Sequence, residues 1–155
     1  MFKEIKMSNG RTIIVDDEDF EHLNQFKWCA FGNHIGRYSK ERKLVYMHRY
    51  LMNTPKEMVC DHINGNPLDN RKSNLRNCTQ SQNCMNRRKI SGLKGTYWRK
   101  EKNRWIAHIV ICIDGAKKQI RLGSYKTQEE AARVYDEAAI KYYGEFARLN
   151  YGDYL

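Results

Sequence analysis

Residues 59–76 constrain this chain more than any other stretch. The apolar pair Val59-Cys60 runs straight into Asp61-His62, and a turn-rich segment follows, with Asn64-Gly65 and then Asn66-Pro67. The chain closes on Ser73-Asn74-Leu75-Arg76 before a polar segment able to start a helix. The pattern predicts strand, long loop, short strand and helix, with an acid and an imidazole side by side at the end of the first strand. Neighbouring residues of a strand point to opposite faces, so Asp61 and His62 cannot share one role. One can hold a metal while the other handles a proton.

At these residues the stretch strongly resembles the HNH nucleases, whose ββα-metal motif carries Asp-His, a central Asn, and a final His or Asn on the helix. Asp61-His62 matches the opening pair, Asn74 before Leu75 the central Asn, and Asn83 in Ser81-Gln82-Asn83 the final position. The resemblance implies Asp61 and Asn83 as oxygen ligands of one divalent cation, His62 as the group that activates water, and Asn74 as the residue that pins the loop. Asn86, about one helical turn beyond Asn83, is the alternative final ligand. A carboxylate and an amide oxygen form a hard, incomplete shell that suits Mg²⁺, with Mn²⁺ as the alternative. A neutral imidazole with a pKa near ~6.5 is matched to deprotonating water. An isolated Asp-His before two turns could instead be turn chemistry, with Asp61 capping the loop and His62 satisfied locally. Asp61, His62, Asn74 and Asn83 together at these spacings favour the site.

The formal net charge is +10 on 155 residues, which points to a polyanionic partner, double-stranded DNA first and a membrane surface second. No apolar run approaches the roughly 20 residues of a membrane span, and the N-terminus lacks a signal-peptide core. The expectation is a chain kept in the reducing cytoplasm of a bacterium or a phage-infected host cell. Five cysteines, at 29, 60, 78, 84 and 112, form no C-x-x-C pair, so reduced, mostly packed thiols are expected rather than structural zinc at Cys78 and Cys84.

Upstream, residues 2–15 read as a hairpin turned at Asn9-Gly10, and the acids from Asp16 to Asp19 open a short helix expected over Asp17 to Gln25. Two further strands are expected at Phe26–Ala30 and Gly36–Ser39, with Trp28, Phe31 and Tyr38 as core residues. Leu44–Met52 leads into the central motif. Within it, Arg49 is expected to contact a phosphate, and His48 either does the same or is a strand-end His satisfied by a backbone carbonyl. Arg87, Arg88 and Lys89 form a basic run between two modules and are expected to contact DNA phosphates.

Residues 94–126 read as three strands, Gly95–Arg99, Arg104–Ile111 and Lys118–Gly123, turned at Lys102-Asn103 and Asp114-Gly115. A capping box at Thr127-Gln128-Glu129-Glu130 then opens an amphipathic helix with Ala131, Val134, Tyr135, Ala138, Ala139 and Tyr142 on one face, and Gly144 ends it. From Lys94 to Arg121 eight bases stand against two acids, whereas from Thr127 to Glu145 two bases stand against five. The sheet is therefore the DNA-facing layer and the helix its back. This module resembles the plant ethylene-response-factor (Apetala-type) DNA-binding domain at Lys94-Gly95-Thr96, Trp105–Ile109, Leu122–Tyr125, Glu129–Asp136 and Phe146–Asn150. Tyr97 stands where plant members usually have a base-reading Arg, and Arg121 where they have an aromatic, so the plant target sequence does not carry over. Arg99, Arg104, Trp105 and Arg121 are the expected DNA contacts.

The fold expectation is α+β. A nuclease module over 1–88 holds the ββα motif at about 45–88, a linker covers 89–93, and 94–155 is a three-stranded antiparallel sheet on one helix. The pairing of modules is characteristic of phage-type homing endonucleases, free-standing or intron-encoded, acting as monomer or homodimer with no obligatory protein partner. A DNA-binding regulator with an inactive nuclease remnant is the alternative, and intact Asp61, His62 and Asn83 weigh against it. An RNA-binding accessory protein would need a single-strand stacking module that the sequence does not show.

Overall fold

A computed structural model describes residues 1–89, 91–113 and 116–152, except the side chain of Ile113. It is a mixed α+β structure of small antiparallel sheets that divides into two units, Met1–Asn83 and Cys84–Leu155. The expected turn at Asp114-Gly115, and Ile90 of the expected linker, lie outside the described residues. No helix among the described residues is long and apolar enough to cross a membrane.

The first unit begins with a hairpin of β1 (Phe2–Lys6) and β2 (Thr12–Asp16). Gly10 supplies the positive φ of its turn at +80°, and Asn9 Oδ1 accepts the Arg11 amide. Strand alternation buries Ile13 and Val15 on one face, and Ile5 lies opposite Ile13. Helix α1 (Asp17–Leu23) ends two residues before the expected Gln25. The Leu23 carbonyl there takes the Phe26 amide at 3.2 Å and the Trp28 indole at 2.8 Å, which turns the chain out of the helix. The core of Ile5, Met7, Ile13, Val15, Leu23, Trp28, Ile35 and Met47 closes around it. A fully buried side chain of this kind contributes about 1.5–3 kcal/mol.

Strands β3 (Cys29–Phe31), β4 (His34–Tyr38) and β5 (Leu44–Tyr46) form the second sheet. Trp28 is core and Phe31 is half-buried, but Tyr38 is not core: it is 62% exposed, at the end of β4, and touches Phe31 only edge-on. After β5 the chain turns into helix α2 (Met47–Leu51), so His48 is helical rather than at a strand end. Met47 and Leu51, one turn apart, pull that helix onto the core. β6 (Val59–His62) and β7 (Leu75–Cys78) then pair antiparallel, and helix α3 (Gln80–Met85) follows. The intervening loop is stitched to β2, with Ile14 N–H on Leu68 O and Asn70 N–H on Ile14 O, both at 2.8 Å.

In the second unit β8 (Thr96–Arg99), β9 (Arg104–Ile113) and β10 (Ala116–Tyr125) form a meander with β9 central. Asn103 takes φ +47° in the first turn. Helix α4 (Gln128–Tyr143) starts at the complete Thr127–Glu130 capping box and ends at Gly144. It buries Ala131, Ala132, Tyr135, Asp136, Ala138 and Ala139. The buried stripe thus includes Asp136 and excludes Tyr142, which is 43% exposed. Tyr143 turns inward instead, and its hydroxyl donates to Val110 O. Asp136 is buried because its carboxylate accepts the Asn150 and Tyr151 amides and the Asn150 side chain, at 2.9–3.0 Å. Asn150 in turn exchanges hydrogen bonds with the Lys94 backbone. Of the five cysteines Cys60 and Cys78 are packed and Cys29, Cys84 and Cys112 are exposed, with no disulfide among the described residues.

Candidate functional site

β6 delivers Asp61 and His62 together, and the register sets their cross-strand partners, Arg76 and Leu75. Both residues are buried. Arg76 grips Asp61 Oδ2 through Nη2 at 2.9 Å and Nε at 3.2 Å. This partner is not evident from the sequence, because only the strand register brings residue 76 opposite residue 61.

The His62 ring is held at its edge and on its face. Its Nε2 lies 3.4 Å from Asn70 Oδ1. His48 packs against it with ring centroids 5.1 Å apart, and His34 stacks on His48 at 5.0 Å. Burial holds His62 below the ordinary imidazole value, while the hydrogen bond to Asn70 pulls it up. His48 is pushed down to about 3, by burial first and then by His62, His34 and Arg49. Its Nδ1 is buried with no hydrogen-bond partner among the described residues. Both rings are therefore neutral at neutral pH, the form that accepts a proton.

Four side chains shape the loop beside them. Asn74 donates to Asn64 Oδ1 at 3.1 Å and Asp69 O at 2.8 Å, and accepts from the Asn64 amide at 3.0 Å. Asn64 also donates to Asp69 Oδ2, which Arg71 holds at 2.7 Å. The Arg71 hydrogen bond keeps the Asp69 carboxyl below its usual range. Arg49 serves the neighbouring segment: Nη1 donates to Met58 O and Nη2 to Pro55 O, each at 2.8 Å, and to Thr54 O at 3.3 Å. A planar guanidinium directed at three carbonyls braces residues 54–58.

Asn83 is half-buried on α3, where its backbone N–H donates to Thr79 O. Its side-chain amide makes no hydrogen bond among the described residues. Asn86 is buried and belongs to the second unit. Among the described residues no three His, Cys, Asp or Glu side chains converge as a metal cluster. The oxygens of Asp61 and Asn83 fit a hard cation that keeps most of its water, and not a soft-ligand zinc site.

On the second unit, register decides which side chains share a face. Residues directly opposite each other point the same way, and successive residues alternate. Ile109 lies opposite Ile120 and packs on Tyr135, Ala138 and Ala139 of α4. Counting back along β9, Ala107 and Trp105 share that side, together with Thr96 and Trp98 opposite them. Trp105 is thus on the helix side and packs on Trp98 at 5.4 Å, which removes it from the face that carries the expected arginines. The other face carries Arg99, Arg104, Tyr97, His108 and Arg121, with Arg99 opposite Arg104 and Arg121 opposite His108. Arg104 stands at the rim, also bordering an open cleft with Lys126, Glu130 and Arg133. Arg121 is exposed, and Arg99 reaches only the exposed Glu101. Arg87 and Arg88 are exposed, while Lys89 Nζ donates to Leu93 O and Thr96 O.

Two family models match this chain: HNH endonuclease over residues 53–85, and AP2 domain over residues 91–145. An uncharacterized HNH endonuclease of Acanthamoeba polyphaga mimivirus is 29% identical over 99% of this chain and 82% of its own length. Protein 3.8 of Escherichia phage T7 is 35% identical over 61% of this chain and 78% of its own length. An AP2-like ethylene-responsive transcription factor of Arabidopsis thaliana is 40% identical over 44% of this chain, a match that covers 14% of that protein. Matched along its length by an HNH relative, and by both family models in succession, the chain carries an HNH endonuclease segment followed by an AP2 domain.

Proposed function

We propose that the protein is a sequence-specific DNA endonuclease of the homing type, in which the first unit hydrolyses a phosphodiester and the second reads the duplex. The observation that carries this reading is the buried His62, held neutral beside Asp61 at the end of β6. A neutral imidazole takes a proton from the attacking water, and the ring packing of His48 restricts where it points. Arg76 orients the Asp61 carboxylate, and Asn74 fixes the loop between the two strands. Asp61 and Asn83 would hold the divalent cation, Mg²⁺ or Mn²⁺, which when bound stabilises negative charge on the phosphate and leaving group. The sheet face that carries Arg99, Arg104 and Arg121 engages the DNA, with the exposed Arg87 and Arg88 on the backbone. Trp105 is left to pack the sheet. One site per chain produces one nick per binding event.

The test is conversion of supercoiled plasmid by wild type and His62→Ala, in Mg²⁺ with and without EDTA. Metal-dependent open circles from wild type alone support the reading, and linear product points to paired cuts. Cleavage by His62→Ala at the wild-type rate removes His62 from the chemistry. A wild type that binds DNA selected for affinity and never cuts it is a regulator.

A further inference from the structure

We propose that Gln119 and Val110 read an A·T base pair from the sheet face of the second unit, Gln119 taking the adenine edge and Val110 the thymine methyl. The inference deepens the proposed DNA-reading role of that face and rests on it. Neither residue stood out in the sequence, where Gln119 lies between Lys118 and Ile120 and Val110 sits in an apolar run.

Strand register puts the two side chains together. Val110 lies directly opposite Gln119 in the antiparallel pairing of β9 and β10, so both point to one face. Their neighbours Ile109 and Ile120 point the other way and pack beneath α4. Gln119 and Val110 therefore share the face of Arg121 and His108, the next pair along, and the register shifts just beyond Arg121. Val110 is 40% exposed, and Gln119 is exposed with no side-chain hydrogen bond among the described residues. The backbone beneath them is braced from α4, whose Tyr143 hydroxyl donates to Val110 O at 2.6 Å. β9 and β10 contain no acid and carry Arg104, Lys117, Lys118 and Arg121, so a polyanion meets no repulsion there.

Chemistry then selects the base pair. In the major groove adenine presents N7 as acceptor and N6 as donor, and its partner thymine presents a methyl. A glutamine amide holds a donor and an acceptor side by side and satisfies both adenine atoms at once. Valine offers only methyls, which pack on the thymine methyl and give nothing to a polar edge. Arg121 is a donor alone and suits the two acceptors of guanine. Pairs two residues apart along a strand lie roughly 7 Å from each other, about two base-pair steps. The target should therefore hold an A·T pair within about two steps of a G·C pair.

The experiment selects duplexes from a randomised pool with the full-length chain in EDTA, so that binding is read without any need for cleavage. Wild type should enrich a site with G·C and A·T positions at that spacing. Gln119→Ala should lose ~5–150-fold of the preference for A·T and keep that for G·C, and Arg121→Ala should do the reverse. Gln119→Glu, an acceptor alone, should turn the preference at the same position toward cytosine, a change that a merely structural role would not produce. On the selected site, uracil in place of the thymine should weaken wild type ~4-fold and leave Val110→Ser unaffected. An A·T position unchanged in Gln119→Ala overturns the proposal while DNA reading by the sheet stands, as does a thymine methyl felt equally by wild type and Val110→Ser. A wild type that enriches no sequence overturns both.

Discussion

Acid should destabilise the first unit through His48. The ring is 4% exposed, and burial beside His62, His34 and Arg49 lowers its pKa from 6.5 to about 3. Released into the unfolded chain, it titrates near ~6.5 again. The unfolded state therefore binds the proton first. Stability that is complete above the unfolded value is lost as the pH falls toward the folded one. Each pH unit between the two is worth ~1.4 kcal/mol, so acidification from pH ~7.5 to ~5.0 should remove ~2 kcal/mol. A small domain holds only ~5–15 kcal/mol in total. His48→Phe keeps an aromatic ring against His34 and His62 but cannot titrate, so it isolates this contribution from that of every other histidine. Urea unfolding in EDTA, read from the amide signals of the core residues Ile13 and Val15, measures the first unit alone. Wild type should lose ~2 kcal/mol more than His48→Phe between the two pH values. Equal losses would refute the reasoning, because a ring that does not resist protonation in the fold cannot be buried and neutral there.

Other substitutions probe the second unit and the ion pair. Gly95 has φ +74°, and a Cβ at that position would fall inside the Tyr135 ring. Gly95→Ala should therefore destabilise the sheet–helix unit by ~2–5 kcal/mol from backbone strain and overpacking, and an unchanged melting profile of β9 signals would disprove the close approach. Arg76→Ala leaves the Asp61 carboxylate without its guanidinium in a setting where both side chains are nearly buried, 12% and 10% exposed. It should cost ~3–5 kcal/mol in urea unfolding, with much of that recovered in the double variant Arg76→Ala/Asp61→Ala. Arg121→Ala should weaken DNA binding by ~1–3 kcal/mol and relax specificity at one position, whereas Trp105→Leu should leave base preference intact; binding-site selection on both variants distinguishes a reading residue from a packing one.

Much of the second unit was legible in the sequence because its signals are local. Thr127 and Glu130 define the start of α4 by reciprocal capping, Gly144 defines its end, and the run rich in aromatic and β-branched residues over 104–111 marks β9. Helical spacing placed Tyr142 inside, but whether Tyr142 or Tyr143 turns inward depends on the Val110 carbonyl across the fold. The face that Trp105 takes was hidden for a similar reason. Alternation separates two faces of a strand without saying which of them the helix will cover.

In the first unit, local chemistry marked Asp61 and His62, the resemblance to the HNH nucleases marked Asn74 and Asn83, and the net charge pointed to a polyanion such as DNA. What surrounds those residues came only from the tertiary structure. Arg76 meets Asp61 through strand register, Asn70 meets His62 through a loop anchored to β2, and His34 and His48 reach the site from a separate sheet and helix. Arg49, which looked free to meet a phosphate, is bound to three backbone carbonyls once the 54–58 segment folds over it. The sequence by itself determined which groups can do chemistry, because donor-atom type and the presence of a titratable group belong to the side chain. The tertiary structure decided their partners, burial and orientation, because those depend on contacts between residues far apart in the chain.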